Sequence, residues 1–174
     1  MKAAAKILLG GTFVTTCFDR NGKLKWIEKS PNIVVGEGLD HVLSILLKNG
    51  TVIDPWYVFI FENNYTPLTG DTYAAHGWTE STAYTQANRP EFVDGAIAGH
   101  ALDNSASKAV FSINATKTIY GAGLCGGGGA PNTKADTAGG GKVLCASKFL
   151  ASKNVESGDT LNVQYTFGAA DDGV

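Results

Sequence analysis

Alternating apolar and polar residues predict a β-hairpin near the start of the chain. Residues 12–18 alternate β-forming residues with small polar ones, and residues 23–29 resume the alternation, with Leu24 and Trp26 on one face. Between these segments lies the turn sequence DRNG, which contains Asn-Gly, the dipeptide that tight hairpin turns favour. The two segments are therefore predicted to pair as antiparallel strands.

The period of the pattern changes after Pro31. Apolar residues then follow the spacing i, i+3, i+4 and i+7, at Leu39, Val42, Leu43 and Leu46. This is the spacing of one face of an α-helix. Residues 38–48 are therefore predicted to form a short amphipathic helix that ends at Asn49-Gly50.

The remainder of the chain returns to strand-like segments separated by Gly, Asn, Asp and Ser. The predicted strands are residues 56–61, 80–84, 109–113, 117–124, 142–149 and 160–167. Seven or eight short strands with one helix predict a mainly β protein, an antiparallel β-sandwich of the Greek-key or jelly-roll type. We expect residues 12–174 to form this single domain and residues 1–11 to form an N-terminal arm.

The composition suits a turn-rich β protein that binds neither nucleic acid nor membrane. The 174 residues include 22 glycines and 17% charged residues, and the formal net charge is -2. This charge offers no basic surface for phosphates, and no apolar run approaches the ~18 residues that a membrane span needs. The apolar stretch near Met1 is too short for a signal peptide, so we expect synthesis in the cytoplasm. An odd number of cysteines without metal-ligand spacing predicts buried free thiols, at Cys17, Cys125 and Cys145.

A long aromatic segment, residues 62–90, follows the predicted strand 56–61. A connection of this length is uncommon unless it packs on its own side chains or binds something. Its aromatic residues are Tyr65, Tyr73, Trp78 and Tyr84. They could fill a core or stack on a sugar, and core packing is the more common use of such residues.

The sequence contains no motif that predicts a cofactor or metal site. Residues 121–126 fit GxGxxG, but no helix follows to receive a pyrophosphate. The three histidines, His41, His76 and His100, are scattered and lack the spacing of metal ligands. We therefore expect no bound cofactor and no metal.

Three titratable residues of the aromatic segment lie close together in sequence: Asp71, His76 and Glu80. They could form an acid-base group, and Asp71 with Glu80 is the carboxylate pair that a glycan hydrolase would require. No nucleophile accompanies them, so turn and capping roles in a packed loop are the simpler interpretation. The sequence therefore predicts a protein that is not an enzyme.

A series of short segments occurs in a specific order along the chain. The series is GKLKW (22–26), PNIVV (31–35), GL (38–39), WYV (56–58), YTP (65–67), GDT (70–72), HGWTE (76–80), NRP (88–90), NSA (104–106), AVF (109–111), INAT (113–116) and SGDTL (157–161). In this order the segments resemble a family of small virion proteins of tailed bacteriophages, of the head-decoration or cement type. The resemblance covers nearly the whole chain.

The resemblance implies a non-enzymatic protein of the virion, on the capsid surface, without a cofactor or catalytic residues. Its expected partner is the major capsid protein, which it would bind and stabilise as a homo-oligomer or through symmetric contacts on the shell. The alternative is a tail-fibre or receptor-binding module that stacks host-surface glycan on Tyr65, Tyr73, Trp78 and Tyr84.

Two segments are predicted to contact the partner. The first is the N-terminal arm, where two lysines flank an apolar run: Lys2, Lys6, Ile7, Leu8 and Leu9. The second is the glycine-rich loop 126–141, which is predicted to be mobile and to become ordered against a neighbour. Its predicted contact residues are Gly127, Gly128 and Gly140.

Overall fold

The computed structural model describes residues 6–171 and 173 of the chain. Within them the elements run in the order β1 (Ile7–Phe18), β2 (Leu24–Pro31), β3 (Ile33–Val34), α1 (Gly36–Lys48), β4 (Trp56–Phe61), β5 (Ala101–Asp103), β6 (Ala109–Ser112), β7 (Lys117–Gly126), β8 (Lys142–Val155) and β9 (Thr160–Asp171). The mainly β fold with one helix is confirmed. No helix in the described part of the chain is long and apolar enough to cross a membrane.

The strands form two antiparallel sheets. In the first sheet the order is β2-β1-β9, and both β5 and β6 pair with the free edge of β9. In the second sheet the order is β3-β8-β7-β4. The hairpin expected from the DRNG turn is confirmed as β1 and β2.

The main core lies between the two sheets. On β9 the alternate residues Leu161, Val163 and Tyr165 are completely buried, as the period of two along this strand predicts. The ring of Tyr165 stacks on Phe13 of β1 with centroids 4.2 Å apart. Residues of β4, β7 and β8 close this core from the other sheet, which makes the architecture a β-sandwich.

The first strand begins earlier than the alternating pattern indicates. Ile7 pairs with Asp171, and the pairing with β9 continues without a shift to Phe18. Residues 7–11 of the predicted N-terminal arm therefore extend the first sheet. Lys2 lies outside the described residues.

A second apolar cluster covers the outer face of the β3-β8-β7-β4 sheet. Phe59 and Phe61 point to this face, and the aromatic segment 62–90 folds over them and places Trp78 on both rings. Two glycines of β7 make room, because a Cβ at Gly121 would clash with Phe61 and one at Gly123 with Phe59. The sandwich therefore carries a third, irregular layer.

The predicted strand at residues 80–84 is wrong. The segment makes only isolated bridges, from Glu80 to Phe61 in one sheet and from Tyr84 to Ile113 beside the other. It crosses from one sheet to the other, so successive residues meet different partners and no continuous ladder forms.

Candidate functional site

The position of α1 is set by contacts at both of its ends. Near its start, Glu37 Oε2 accepts hydrogen bonds from the amides of Tyr73 (2.9 Å) and Val143 (2.7 Å). Near its end, the Gly50 amide donates to the Ser44 carbonyl at 3.0 Å, after Asn49 adopts a left-handed conformation. The two Glu37 bonds tie the helix to the aromatic segment and to β8, and the Gly50 bond ends the helix.

The helix packs on the sheet through a different face from the one that its leucines indicate. Gly38 and His41 are buried, and Val42 and Ile45 are half-buried. At Gly38 a Cβ would clash with the Leu144 carbonyl oxygen, so glycine lets the helix approach the β8 backbone closely. The face centred on Gly38 therefore docks, and the leucines turn outward.

The outward residues form an apolar stripe that we call the leucine face. Its members, with their exposed fractions, are Leu39 (38%), Leu43 (54%), Leu46 (68%) and Leu47 (79%). The amphipathic helix is confirmed, but three of the four residues on its predicted apolar face belong to this exposed stripe. A contiguous exposed apolar stripe on a folded domain is typical of an interaction surface.

A cavity of about 370 Å³, which we call the α1 cavity, lies beneath the helix at one end of the sandwich. Its wall is mainly apolar, from Val42, Ile45, Trp56, Phe92, Leu124 and Leu144. The charged or titratable residues among its described lining are His41, Asp54 and Asp94. It is an apolar recess with carboxylates at its margin.

A second cavity of about 650 Å³ lies on the other side of His41, between α1, residues 51–55 and the glycine-rich loop. The charged residues of its described lining are Asp40, Asp54 and Lys142. Its lining also includes the three glycines predicted as partner contacts, Gly127, Gly128 and Gly140. The glycine-rich loop and α1 thus border the same recess.

His41 lines both cavities, as do Val52, Ile53 and Asp54. Its side chain is 7% exposed, and its ring meets Trp56 edge-on, with centroids 5.6 Å apart. The Nε2 atom is buried without a hydrogen-bond partner among the described residues. Burial, assisted by the nearby charge of Lys142, lowers the pKa of His41, so the imidazole is neutral at neutral pH.

The glycine-rich loop contacts its own chain through several hydrogen bonds, and its predicted mobility stays a prediction. Arg89 donates to the carbonyls of Pro131 (2.8 Å) and Asp136 (3.0 Å), and Lys134 donates to the Tyr84 carbonyl. Within the loop the Gly129 amide donates to the Gly139 carbonyl. The buried Arg89 thus supplies contacts to the loop that its glycines, which have no side chains, cannot make.

The aromatic residues of segment 62–90 do not form a sugar-binding platform. Tyr73, Trp78 and Tyr84 are at most 5% exposed, and Tyr65 is half-buried. The face of Trp78 is covered by His76, whose ring lies parallel to it at 4.1 Å. Since stacking on a glycan requires an exposed ring face, the core interpretation of these residues is the correct one.

The carboxylates considered for catalysis have structural partners. Asp71 accepts hydrogen bonds from the Tyr65 hydroxyl (2.8 Å) and the Leu68 amide (2.7 Å). Glu80 forms an ion pair with Arg89, and both side chains are buried. These contacts fit the turn and packing roles rather than an acid-base pair.

The described part of the predicted arm is a second exposed region. Ile7 and Leu8 are 74% and 55% exposed, and Leu9 is half-buried. Lys6 and Ile7 line a shallow recess with His100 at the far end of the first sheet. The structure does not bring this region together with the glycine-rich loop in one cavity.

Sequence reasoning did not find the α1 cavity. Asp54 and Asp94 lie forty residues apart in loops. The available signal was a second helical series, Gly38, His41, Val42 and Ile45, which competes with the leucines for the sheet. Two such series on one helix indicate that one of them faces solvent.

Comparisons with known proteins leave the chain without an assigned relative. No family model, no curated protein and no solved structure matches it. Among the described residues, no group of three or more His, Cys, Asp or Glu side chains could hold a metal ion.

Proposed function

We propose that the protein is a non-enzymatic decoration protein of a tailed-phage head, which binds the assembled shell through α1 and stabilises it. The observation that carries the proposal is the leucine face, whose members Leu46 and Leu47 are 68% and 79% exposed on an otherwise well-packed domain. The order of sequence segments that resembles head-decoration proteins supports the choice of partner.

The surroundings of the leucine face support a binding surface. Val52, in the loop after the helix, is 67% exposed and lines the cavities under α1. A surface with an apolar centre beside recesses can bury large side chains of a partner while polar residues form the rim. The glycine-rich loop, held by hydrogen bonds from Arg89, forms a second border of this surface, and a border that is already held in place reduces the entropy lost on docking.

Weak individual contacts suffice for this role. A protein that binds the assembled shell and not its free subunits stabilises the shell by about 2.7 kcal/mol per site at a hundredfold excess over Kd. Because a shell repeats the same site many times by symmetry, this contribution is multiplied. The hydrogen bonds and ion pair already made by Asp71 and Glu80 favour such a binding role over hydrolysis.

The proposal is tested first by copy number. Purified virions should contain the protein in hundreds of copies, in fixed ratio to the major capsid protein, when measured by quantitative mass spectrometry. A handful of copies would place it in the tail or a fibre, and its absence from virions would refute the proposal.

The docking surface is tested with a pair of leucine variants. Leu43→Lys with Leu47→Lys places two charges on the leucine face, while Leu150→Lys changes a leucine on β8 that is 84% exposed, close to the 79% of Leu47. On heads that lack the protein, the double variant should bind at least about tenfold more weakly, which corresponds to about 1.4 kcal/mol. The Leu150→Lys control should bind as the wild type does, and equal binding by all three proteins would refute α1 as the docking surface.

A further inference from the structure

We propose that the α1 cavity receives an apolar side chain of the partner protein that is followed or preceded by a lysine or arginine, whose cation lies at Asp54 and Asp94. The inference deepens the proposed function and rests on it for the presence of a protein partner. It adds the chemistry of the residues that the partner must present.

The size of the cavity fits a side chain. Its volume of about 370 Å³ lies at the lower end of the range of ligand pockets, about 300–1,000 Å³. Trp56 and Phe92 supply flat aromatic surface, and Val42 and Ile45 of α1 form the opposite wall. Such a recess accommodates one leucine or phenylalanine side chain in van der Waals contact on several sides.

The charges at the cavity favour a cationic residue next to the apolar residue in the partner's sequence. Asp54 and Asp94 are both exposed at the rim, and the described lining contains no lysine or arginine. Lys142 lines only the neighbouring cavity, where Asp40 and Asp54 accompany it, and Asp94 lines the α1 cavity alone. An incoming carboxylate would therefore meet two like charges, and an incoming cation would meet two opposite ones.

His41 gives a second, independent indication of an occupant. Its side chain is 93% buried, lines the cavity and leaves Nε2 without a hydrogen-bond partner. Buried polar atoms in folded proteins are nearly always paired. Nε2 has almost no solvent-accessible surface, so a backbone amide or carbonyl of the partner would reach it only as the imidazole turns toward the cavity on docking. The neutral ring can then donate or accept the hydrogen bond.

The cavity is continuous with the leucine face. Val42 lines the cavity, and Leu46, one helical turn later, belongs to the leucine face. One partner segment can therefore cover the leucines and insert a side chain beneath the helix.

The test titrates three blocked dipeptides into the isotope-labelled full chain and follows amide and indole shifts by NMR. The peptides are Ac-Phe-Lys-NH₂, Ac-Phe-Glu-NH₂ and Ac-Ala-Lys-NH₂. We expect Ac-Phe-Lys-NH₂ to shift His41, Val42 and the Trp56 indole with a Kd on the order of 1 mM. The other two peptides should bind at least about fivefold more weakly, because each lacks either the cation or the apolar group.

Variants separate the charge from the fold. Asp54→Asn with Asp94→Asn should reduce the preference for Lys over Glu to less than about twofold. Asp40→Asn, which removes a carboxylate from the neighbouring cavity only, should leave the preference unchanged. Unchanged circular dichroism and melting temperature confirm that both variants fold.

Several results would overturn the inference. These are equal binding of the Lys and Glu peptides, saturable shifts confined to other surfaces, and no shift in the cavity lining at peptide concentrations on the order of 10 mM. A dimer, seen by sedimentation, that shields the lining and excludes the peptides would identify a second copy of this chain as the occupant.

Different experimental results would refute this inference and the proposed function. If the Asp54→Asn, Asp94→Asn variant binds heads at full occupancy and no peptide binds, the cavity inference is wrong and the shell proposal stands. If the peptides bind as expected and the protein never binds heads, the shell proposal is wrong.

Discussion

Arg89 and Glu80 form a buried ion pair, with Arg89 Nη2 2.6 Å from Glu80 Oε2 and both side chains at most 6% exposed. The guanidinium also donates to the Tyr73 hydroxyl and to two carbonyls of the glycine-rich loop. The pair thus joins the aromatic segment 62–90 to the loop 126–141, the two longest irregular parts of the sandwich.

Removing one member of this pair should strongly destabilise the fold. Arg89→Met leaves Glu80 as an uncompensated buried charge, and we expect the free energy of unfolding to fall by about 3–5 kcal/mol. Urea denaturation followed by tryptophan fluorescence measures the change. Lys117→Met breaks the more exposed pair with Glu62, whose side chains are 40% and 22% exposed, and serves as the control, with an expected cost of about 1 kcal/mol or less. Equal effects of the two substitutions would contradict the importance of the buried pair.

The close approach of α1 to the sheet depends on the absence of a side chain at position 38. Gly38→Ala would force Cβ against the Leu144 carbonyl, so we expect a loss of about 1–3 kcal/mol despite the better helix propensity of alanine. Gly70→Ala, in a turn, is the control for steric contact, because nothing lies within 4 Å of its Cβ position. Thermal unfolding of both variants measures the difference. A stabilised Gly38→Ala protein would show that the helix does not pack as described.

Two histidines, His41, which is buried, and His76, which is half-buried, should make stability depend on pH. The pKa of His76 is lowered below 6.5 by burial, and that of His41 is lowered by burial and by Lys142. The unfolded chain therefore binds protons more readily than the native one, so stability falls as pH decreases through 6.5 toward the folded-state pKa values. Urea unfolding at several pH values between 5 and 8 measures the slope.

The variant His76→Gln isolates one contribution to this slope. It removes the titrating ring while leaving the carboxylates of the protein in place. As the pH is lowered, the free energy of unfolding of the wild type should fall more steeply than that of the variant. A difference that is constant with pH would refute the assignment.

The three cysteines should be unreactive in the native protein. Burial raises the pKa of Cys17, Cys125 and Cys145 to about 12 each, so almost no thiolate exists at neutral pH. A colorimetric thiol reagent should find three reactive groups in denaturant and none on the same time scale in native buffer. Rapid native labelling of even one thiol would contradict the described packing.

The local pattern of residues determined most of the elements and the core side of β9. The DRNG turn and its flanking alternation specified the β1-β2 hairpin, and the alternation of Leu161, Val163 and Tyr165 specified the core side of β9. These predictions succeeded because a strand's period and a tight turn depend on residues that are adjacent in sequence. The existence of α1 followed from the same kind of local signal.

Only the tertiary structure decided what covers each face. The Gly38 face of α1 packs on β8, and the leucines remain exposed. Trp78 is buried beneath His76, and Arg89 donates a hydrogen bond to the glycine-rich loop. The fold also brings Asp54 and Asp94 to one cavity. The period of a sequence indicates which residues share a face. Which segment covers that face depends on how closely the backbone and side chains of distant segments pack together.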